Sequence, residues 1–487
     1  MTINIILITV LTLIFCIIYD RFFIYDNFAS QIKYIEHGEN YDYAKQKFTH
    51  THSHDRWHST HSSMYDKLNK HSYITYDYVH KSNQKHTVFP KSLKDIVQII
   101  KDNKGRKIRV SGGHHTFSSI SMSDDIIMRT YYLKKILKLE NNSVTVESGM
   151  LLHELNAYLR KHDLAIHVLP AIPWQTIAGA LATSSHGSTT DRGSMSSMIE
   201  DIAMVLSDGS VKTYNKQNPE FKALLTNLGC LGVVYSVTLK CVPAFTIEHI
   251  TKMLSLYEFK KVMNDKSIRE KYTYIQGYIY PKIKGKNVKV YYRKIVNDFD
   301  KKKLPLSIKT DGSEKKSIKY KPYKDKGRVD WSDNILTNNQ EAGYYTEGEY
   351  AVSVDDWIDA VDDIIKLYFD YEKKYNYKSG WPLLVRFTMR DDSLLSMTSG
   401  RDSVFIDTFN SRRKAKDVNL DNYFKSVEKM LIDKYKGRPH YGKRNYLNKK
   451  KMLKIYGNNV NKFNKIRKDM DKSGMFSNKF INKLLGH

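Results

Sequence analysis

Cysteine is scarce in this chain. Its 487 residues hold three, Cys16, Cys230 and Cys241, which excludes a disulfide framework and a four-thiolate zinc site. Two nucleotide signatures are missing as well: no strand runs into a GxGxxG turn, and no GxxxxGK[ST] loop is present. Acidic side chains are in deficit, 52 against 79 Lys+Arg, for a net charge of +27. Such an excess can mark a nucleic-acid or anionic-membrane partner, but here it is uneven. Residues 282–328 alone carry seventeen Lys/Arg against five acids, and within them DFDKKKLPLSIKTDGSEKKSIKYKPYKDKGR, residues 298–328, reads as a solvated loop or insertion. No aromatic residues interleave with these bases in a nucleic-acid-binding pattern, so no nucleic-acid partner is expected.

Long apolar runs are missing with one exception, residues 3–19 (INIILITVLTLIFCIIY). At about 1.5 Å per residue this run is just long enough to span a bilayer. It lacks a basic n-region and a small-x-small cleavage site, so an uncleaved anchor over residues 1–22 is expected. Few charges flank it, which leaves its orientation and the compartment open. Residues 23–75 form a polar, His-rich segment. His50, His52 and His54 alternate there without a carboxylate or cysteine at ligand spacing, and no metal site is expected.

From residue 76 strand and helix signals mix, which predicts an α+β chain. Ser92-x-x-Asp95 caps a short amphipathic helix carrying Ile96, Val97, Ile99 and Ile100. Residues 107–110 and 143–147 read as strands. Residues 151–161 read as a helix with Leu152, Leu155 and Leu159 inward. The Asp208-Gly209 pair between 199–206 and 211–214 predicts a hairpin, and 231–242 a further strand. The boundaries are set at 76–245 for a first domain and 246–487 for a second that ends in a basic, helical tail.

Two stretches carry chemistry. Residues 107–120 (KIRVSGGHHTFSSI) take a strand into a Gly-Gly turn and two histidines. Such a turn lets backbone approach a phosphate closely, although a Gly-Gly pair is also an ordinary turn. Residues 168–193 (VLPAIPWQTIAGALATSSHGSTTDRG) gather small residues around His186. They allow backbone N–H groups to surround a flat or anionic ligand, or a helix to pack closely.

Together, VSGGHHTF, QTIAGALATSSHG, DGSV and LGCLGVVYSVTLKCVP resemble the FAD-binding domain of the vanillyl-alcohol oxidase superfamily. VRFTMRDDSLLS, RDSVFID, KGRPHYGK and IRKDMDKSGMFSN follow in the order of the aldonolactone oxidase branch, which includes gulonolactone and arabinonolactone oxidases. The likeness covers roughly 76–480 and is poor over 255–345. It implies a two-subdomain, PCMH-type FAD-binding domain over 76–245. An α+β substrate domain with an antiparallel sheet follows, its tail returning to the flavin.

By this resemblance Ser111, Gly112, Gly113, His114, His115 and Thr116 wrap the FAD pyrophosphate. His114 is the candidate for a covalent bond to the flavin, and His115 stands where the family usually has serine. Gly179, Thr183, Ser184, Ser185, His186 and Gly187 form the second FAD loop, with Ile202 beside it. Pro170 matches the residue bordering the oxygen path in oxidases, so O₂ is the expected acceptor. Lys443 and His440 fall in the family's HWxK motif, here His440-Tyr441-Gly442-Lys443. Arg386 matches the arginine of a Glu-x-Arg pair facing the substrate, but the glutamate is replaced by Leu384. A leucine cannot accept hydrogen bonds from substrate hydroxyls. The implied reaction is oxidation of a sugar-derived lactone or polyol alcohol, with a less polar substrate of a membrane-anchored dehydrogenase as the alternative.

Overall fold

The computed structural model describes residues 73–486 apart from 78, 298–303, 305–326, 338–344, 376–380 and 412–415. The apolar 3–19 run and the histidines between 50 and 71 lie outside the described residues. No helix among the described residues is long and apolar enough to cross a membrane.

The chain first builds a parallel three-stranded sheet in the order His86–Val88, Ile126–Arg129, Ile108–Ser111. The helix Leu93–Asp102 connects its two outer strands. Ser92 caps that helix, its Oγ accepting from Asp95 N at 3.2 Å. Ile96 and Ile100, one turn apart, enter a core with Ile108, Ile126 and Met128, while Val97 and Ile99 pack at its margin.

A five-stranded antiparallel sheet follows in the order Val211–Asn215, Ile199–Val205, Val233–Lys240, Ser143–Glu147, Ile136–Glu140. The hairpin between 199 and 215 forms, but not on a two-residue Asp-Gly turn. Its loop runs over 206–210, closed by Leu206 N donating to Ser210 O at 2.9 Å with Gly209 at φ +83°. Helices Leu152–Arg160 and Ile177–Ala182 share a core with this sheet through Leu152, Leu155, Leu159, Ile177 and Leu181.

Thr246–Leu254 opens the second part, an eight-stranded sheet paired antiparallel throughout. Its order is Arg328–Trp331, Thr246–Leu254, Val288–Val296, Tyr274–Ile279, Leu383–Thr388, Ser403–Ser411, Tyr345–Ser353, Arg438–Pro439. The loop expected over 298–328 lies almost wholly outside the described residues. Just before it the basic count hid an alternating strand, in which Val288, Val290 and Tyr292 are buried and Lys289 and Tyr291 fall between them.

Helices Trp357–Tyr375 and Val418–Tyr435 cover one face of this sheet, packing against Tyr350, Val352, Val385 and Ile406. Strand side chains alternate, so Glu347, Glu349, Leu384, Arg386 and Asp407 belong to the other face and line a cavity against the first part. The tail then crosses back. Helices Lys449–Tyr456, Asn459–Met470 and Lys479–Leu485 bury Met452, Phe463, Ile481 and Leu484 in the core of the five-stranded sheet. Tail and first sheet are also joined by Ile108 N donating to Met475 O at 2.9 Å.

Candidate active site

The Gly-Gly-His turn is tight for a reason other than glycine's freedom at positive φ. The left-handed residue is His114, at φ 58°, a conformation uncommon outside glycine and tolerated better by His, Asn and Asp. The glycines are required by contact. A Cβ on Gly112 would lie 2.1 Å from Thr176 Oγ1, and one on Gly113 would lie 2.6 Å from the Trp174 carbonyl oxygen. The turn therefore packs backbone to backbone on the 174–179 loop. Behind it, the buried guanidinium of Arg109 donates to the carbonyls of Ile120, Leu228, Gly229 and Phe476. Burial pushes its pKa down to about 10.

The small-residue run resolves both of its readings. Ile177, Ala180 and Leu181 of its helix enter the core, while Gly179, Ala182 and Thr183 line the cavity. Thr176 caps the helix, its Oγ1 accepting from Gly179 N at 3.3 Å. Ser184, which follows, is left-handed at φ 57°.

From the far end of the chain, residues 440–443 dock on the Gly-Gly-His turn. Phe117 N donates to Gly442 O at 2.7 Å, and Ser118 Oγ to Tyr441 O at 2.6 Å. His440 N donates to Glu349 O at 2.9 Å. The cavity enclosed between these pieces has a volume of about 460 Å³, within the range of small-molecule sites.

Residues 111–116, Pro170, Gly179, Thr183, Ser185 and His186 lie on its wall, as do Arg386, His440 and Lys443. Ser184, Gly187 and Ile202 do not. Ser184 turns the backbone and is 1% exposed. Gly187 packs where a Cβ would meet the Leu169 carbonyl oxygen at 2.7 Å. Ile202, on a central strand of the five-stranded sheet, is part of the hydrophobic core.

His186 stands on the wall, but both its ring nitrogens face protein. Nδ1 donates to Gly187 O at 2.9 Å, and Nε2 lies 2.8 Å from Glu349 Oε1. Its ring stacks on Phe405 with centroids 3.5 Å apart. Glu349 also accepts from Arg386 Nη2, and Asp407 Oδ2 accepts from the same nitrogen at 2.8 Å. Burial works against ionisation of Glu349, but Arg386 and His186 hold it below the usual carboxylate range. For Asp407 burial prevails, reinforced by Glu349, and pushes its carboxyl well up. One proton is thus shared within this buried group rather than assigned to a single residue.

His440 Nδ1 accepts from Gly442 N at 3.0 Å. Burial pushes its pKa down to about 4, so the neutral ring carries its proton on Nε2. His186, Glu349 and His440 bring their ligand atoms within 4.8 Å of one another, a spacing a metal could use. The Arg386 cation already bound to Glu349 works against an ion there. Lys443 pairs with Glu347, while burial pushes its ammonium down to about 7; the carboxylate acts against that shift.

Glu347, Glu349 and Asp407 had no role in the sequence reading. Their signal was present: YTEGEYAVS places two glutamates two residues apart in a strand pattern, hence on one face. Leu384 is in register with Asp407 on the adjacent strand, and Asp407 with Glu349 on the next. The wall therefore does not lack carboxylates. They stand one and two strands away from the leucine.

The wall fits FAD. Glycines hold a cradle that a Cβ would fill, two left-handed residues shape its loops, and Ser111 Oγ is buried on the wall with no protein partner. The D-arabinono-1,4-lactone oxidase family matches residues 309–484, and the FAD binding domain family matches 85–215. Fold and site thus define an FAD-dependent oxidoreductase.

L-gulonolactone oxidase of Bos taurus is 27% identical over 424 residues, 81% of this chain and 94% of that one. D-arabinono-1,4-lactone oxidase of Yarrowia lipolytica is 31% identical over 179 residues, 35% of this chain and 34% of that one. The chain is thus similar to aldonolactone oxidases in both of its parts. The fold is shared with cholesterol oxidase from B. sterolicum, at a TM-score of 0.67 and 16% identity over 85% of this chain and 96% of that one.

Proposed function

We propose that this protein is an FAD-dependent aldonolactone oxidase, converting a CH–OH group of a sugar-derived lactone to a ketone and reducing O₂ to H₂O₂. The observation that carries this reading is the polar wall of Arg386, Glu349, Asp407 and Lys443 facing the Gly-Gly-His cradle across one cavity. When bound, FAD supplies the two-electron acceptor that takes the hydride and passes electrons on to oxygen.

The chain's own residues do the rest. Lys443, with a pKa brought to about 7, takes the hydroxyl proton as hydride leaves the carbon. Arg386 stays charged between its two carboxylates and holds negative charge that develops on the substrate oxygen. His440 offers its Nε2–H as a neutral donor. Oxidation at C2 of an aldonolactone gives a 2-keto lactone, which tautomerises to an enediol.

Three finer points belong to the same proposal. His114 carries the flavin covalently, supported by its place at the left-handed turn of the cradle. Pro170 borders the path of oxygen, supported by its place on the cavity wall. Residues 3–19 tether the enzyme to a membrane, supported by their length and apolarity.

The test is anaerobic mixing of purified holoenzyme with L-gulono-1,4-lactone and with D-arabinono-1,4-lactone. Bleaching of the visible flavin band, then recovery with H₂O₂ formation on admitting air, is expected. Yellow protein that bleaches with no lactone or sugar alcohol would sink the reading. Bleaching that air does not reverse would remove oxygen as acceptor.

A further inference from the structure

On the cavity wall two buried polar atoms of neighbouring strands lack a protein hydrogen-bond partner: Arg386 Nε and Asp407 Oδ1. One is a donor and the other an acceptor. Their residues are already joined through Arg386 Nη2 and Asp407 Oδ2 at 2.8 Å, so the two side chains form one rigid unit. Burying such atoms unpaired is costly, and native proteins satisfy nearly all of them. Around them the wall is aromatic and aliphatic: Tyr278, Leu384 and Phe409 also line it.

The sheet register fixes the arrangement. Tyr278, Leu384, Asp407 and Glu349 lie on one rung across four adjacent strands. Glu349 is engaged by His186 and Arg386 through one oxygen, Oε1. Asp407 Oδ1 is the carboxyl oxygen on this rung that is buried without a hydrogen-bond partner.

We infer that Asp407 and Arg386 form the clamp for two hydroxyl groups of the substrate, with Asp407 as the residue that selects a polyhydroxylated lactone. Asp407 hydrogen-bonds one hydroxyl through Oδ1, and Arg386 donates to a neighbouring oxygen through Nε. Leu384, in register beside Asp407, gives the clamp an apolar flank that accepts no hydrogen bond. The same rung thus provides the acceptor that position 384 lacks, one strand over. A site built this way rejects an analogue that lacks the hydroxyl far more strongly than an apolar pocket rejects one extra group. This inference rests on the aldonolactone oxidase reading and adds to it the residue that reads the substrate.

The experiment compares an aldonolactone with its analogue lacking one ring or side-chain hydroxyl, using purified FAD-loaded enzyme. The wild type is set beside Asp407→Leu and the exchange variant Leu384→Asp/Asp407→Leu, which keeps the composition of the rung. Asp407→Leu is expected to lower kcat/KM for the lactone by about tenfold to a hundredfold, mainly through KM. The value for at least one deoxy analogue should stay within about threefold, because that compound has no hydroxyl to lose a partner. The exchange variant, with its carboxyl back on the rung, is expected to recover discrimination between the two compounds.

An equal loss for the lactone and every deoxy analogue overturns the inference, since Asp407 would then only brace Arg386. If Asp407→Leu fails to hold flavin, the exchange variant decides: discrimination upholds the clamp, and its absence overturns it. A wild-type holoenzyme that oxidises neither compound overturns the proposed function itself, an outcome visible before any variant is made.

Discussion

Glu349 Oε1 lies 2.8 Å from His186 Nε2, and Arg386 Nη2 donates to the same oxygen. One carboxylate thus ties the second cofactor loop to the substrate sheet. Glu349→Gln removes the charge that faces the buried Arg386 cation. Breaking a buried pair from one side costs about 3–5 kcal/mol, so the denaturant midpoint of the holoenzyme should fall clearly and activity should be lost. An unchanged midpoint would show that the cluster does not hold the two parts together.

Lys443 sets the expected pH dependence. Its pKa in the fold is about 7, against 10.5 for an ordinary lysine. Below pH 7 the ammonium cannot accept a proton, so kcat/KM should rise as pH passes through about 7. Lys443→Met should remove that limb and lower the plateau by about 10²–10⁴-fold, the usual range for a general base. Stability follows with a fixed sign. Between pH 7 and 10.5 the unfolded chain binds more protons at this residue than the folded one, so its contribution to stability grows across that window and is lost as pH falls to 7. Urea titrations of wild type and Lys443→Met at several pH values check this.

Gly113→Ala tests the cradle directly. The added methyl meets the Trp174 carbonyl oxygen at 2.6 Å, and backbone on both sides cannot rotate away. Overpacking of this kind costs about 1–3 kcal/mol. The variant should purify folded but with a much reduced ratio of flavin to protein. Full flavin content would mean that the turn has slack the contacts do not show.

The covalent proposal separates two adjacent histidines. After acid precipitation the wild-type pellet should stay yellow. His114→Ala should release its flavin into the supernatant, and His115→Ala should keep it in the pellet. Flavin released from the wild type would remove the covalent bond and leave the cradle standing; retention by His114→Ala would move the bond to another residue.

Much of the first part was legible because local signals agreed with tertiary packing. The Ser92 cap, the Leu152–Leu155–Leu159 stripe and the strand before the Gly-Gly turn form within a residue or so of their expected places. The ligand loops were legible by likeness of motif, and most of their residues line the cavity. Ile202 was not, since an isoleucine on a central strand carries no sign of whether it faces ligand or core. The polar cluster escaped for a related reason. Glu349 acquires its neighbours His186 and Arg386 from segments 163 and 37 residues away, and nothing local in YTEGEYAVS announces them. The strand Val288–Val296 escaped the count over 282–328 because charge counting averages over a strand whose alternate residues are buried.

The tail has a consequence for how the enzyme is made. Arg109, three residues before the Gly-Gly pair, holds the carbonyl of Phe476 across 367 residues of sequence, and Asn478 Nδ2 donates to the carbonyls of Ser119, Ile120 and Met122. The loop that receives FAD is therefore completed by residues synthesised more than 350 positions after it. Contacts this distant form late, after a long loop has closed. Cofactor loading becomes a step that follows synthesis through residue 478, and a nascent chain truncated before residue 476 carries its FAD motif without a finished place to put the FAD.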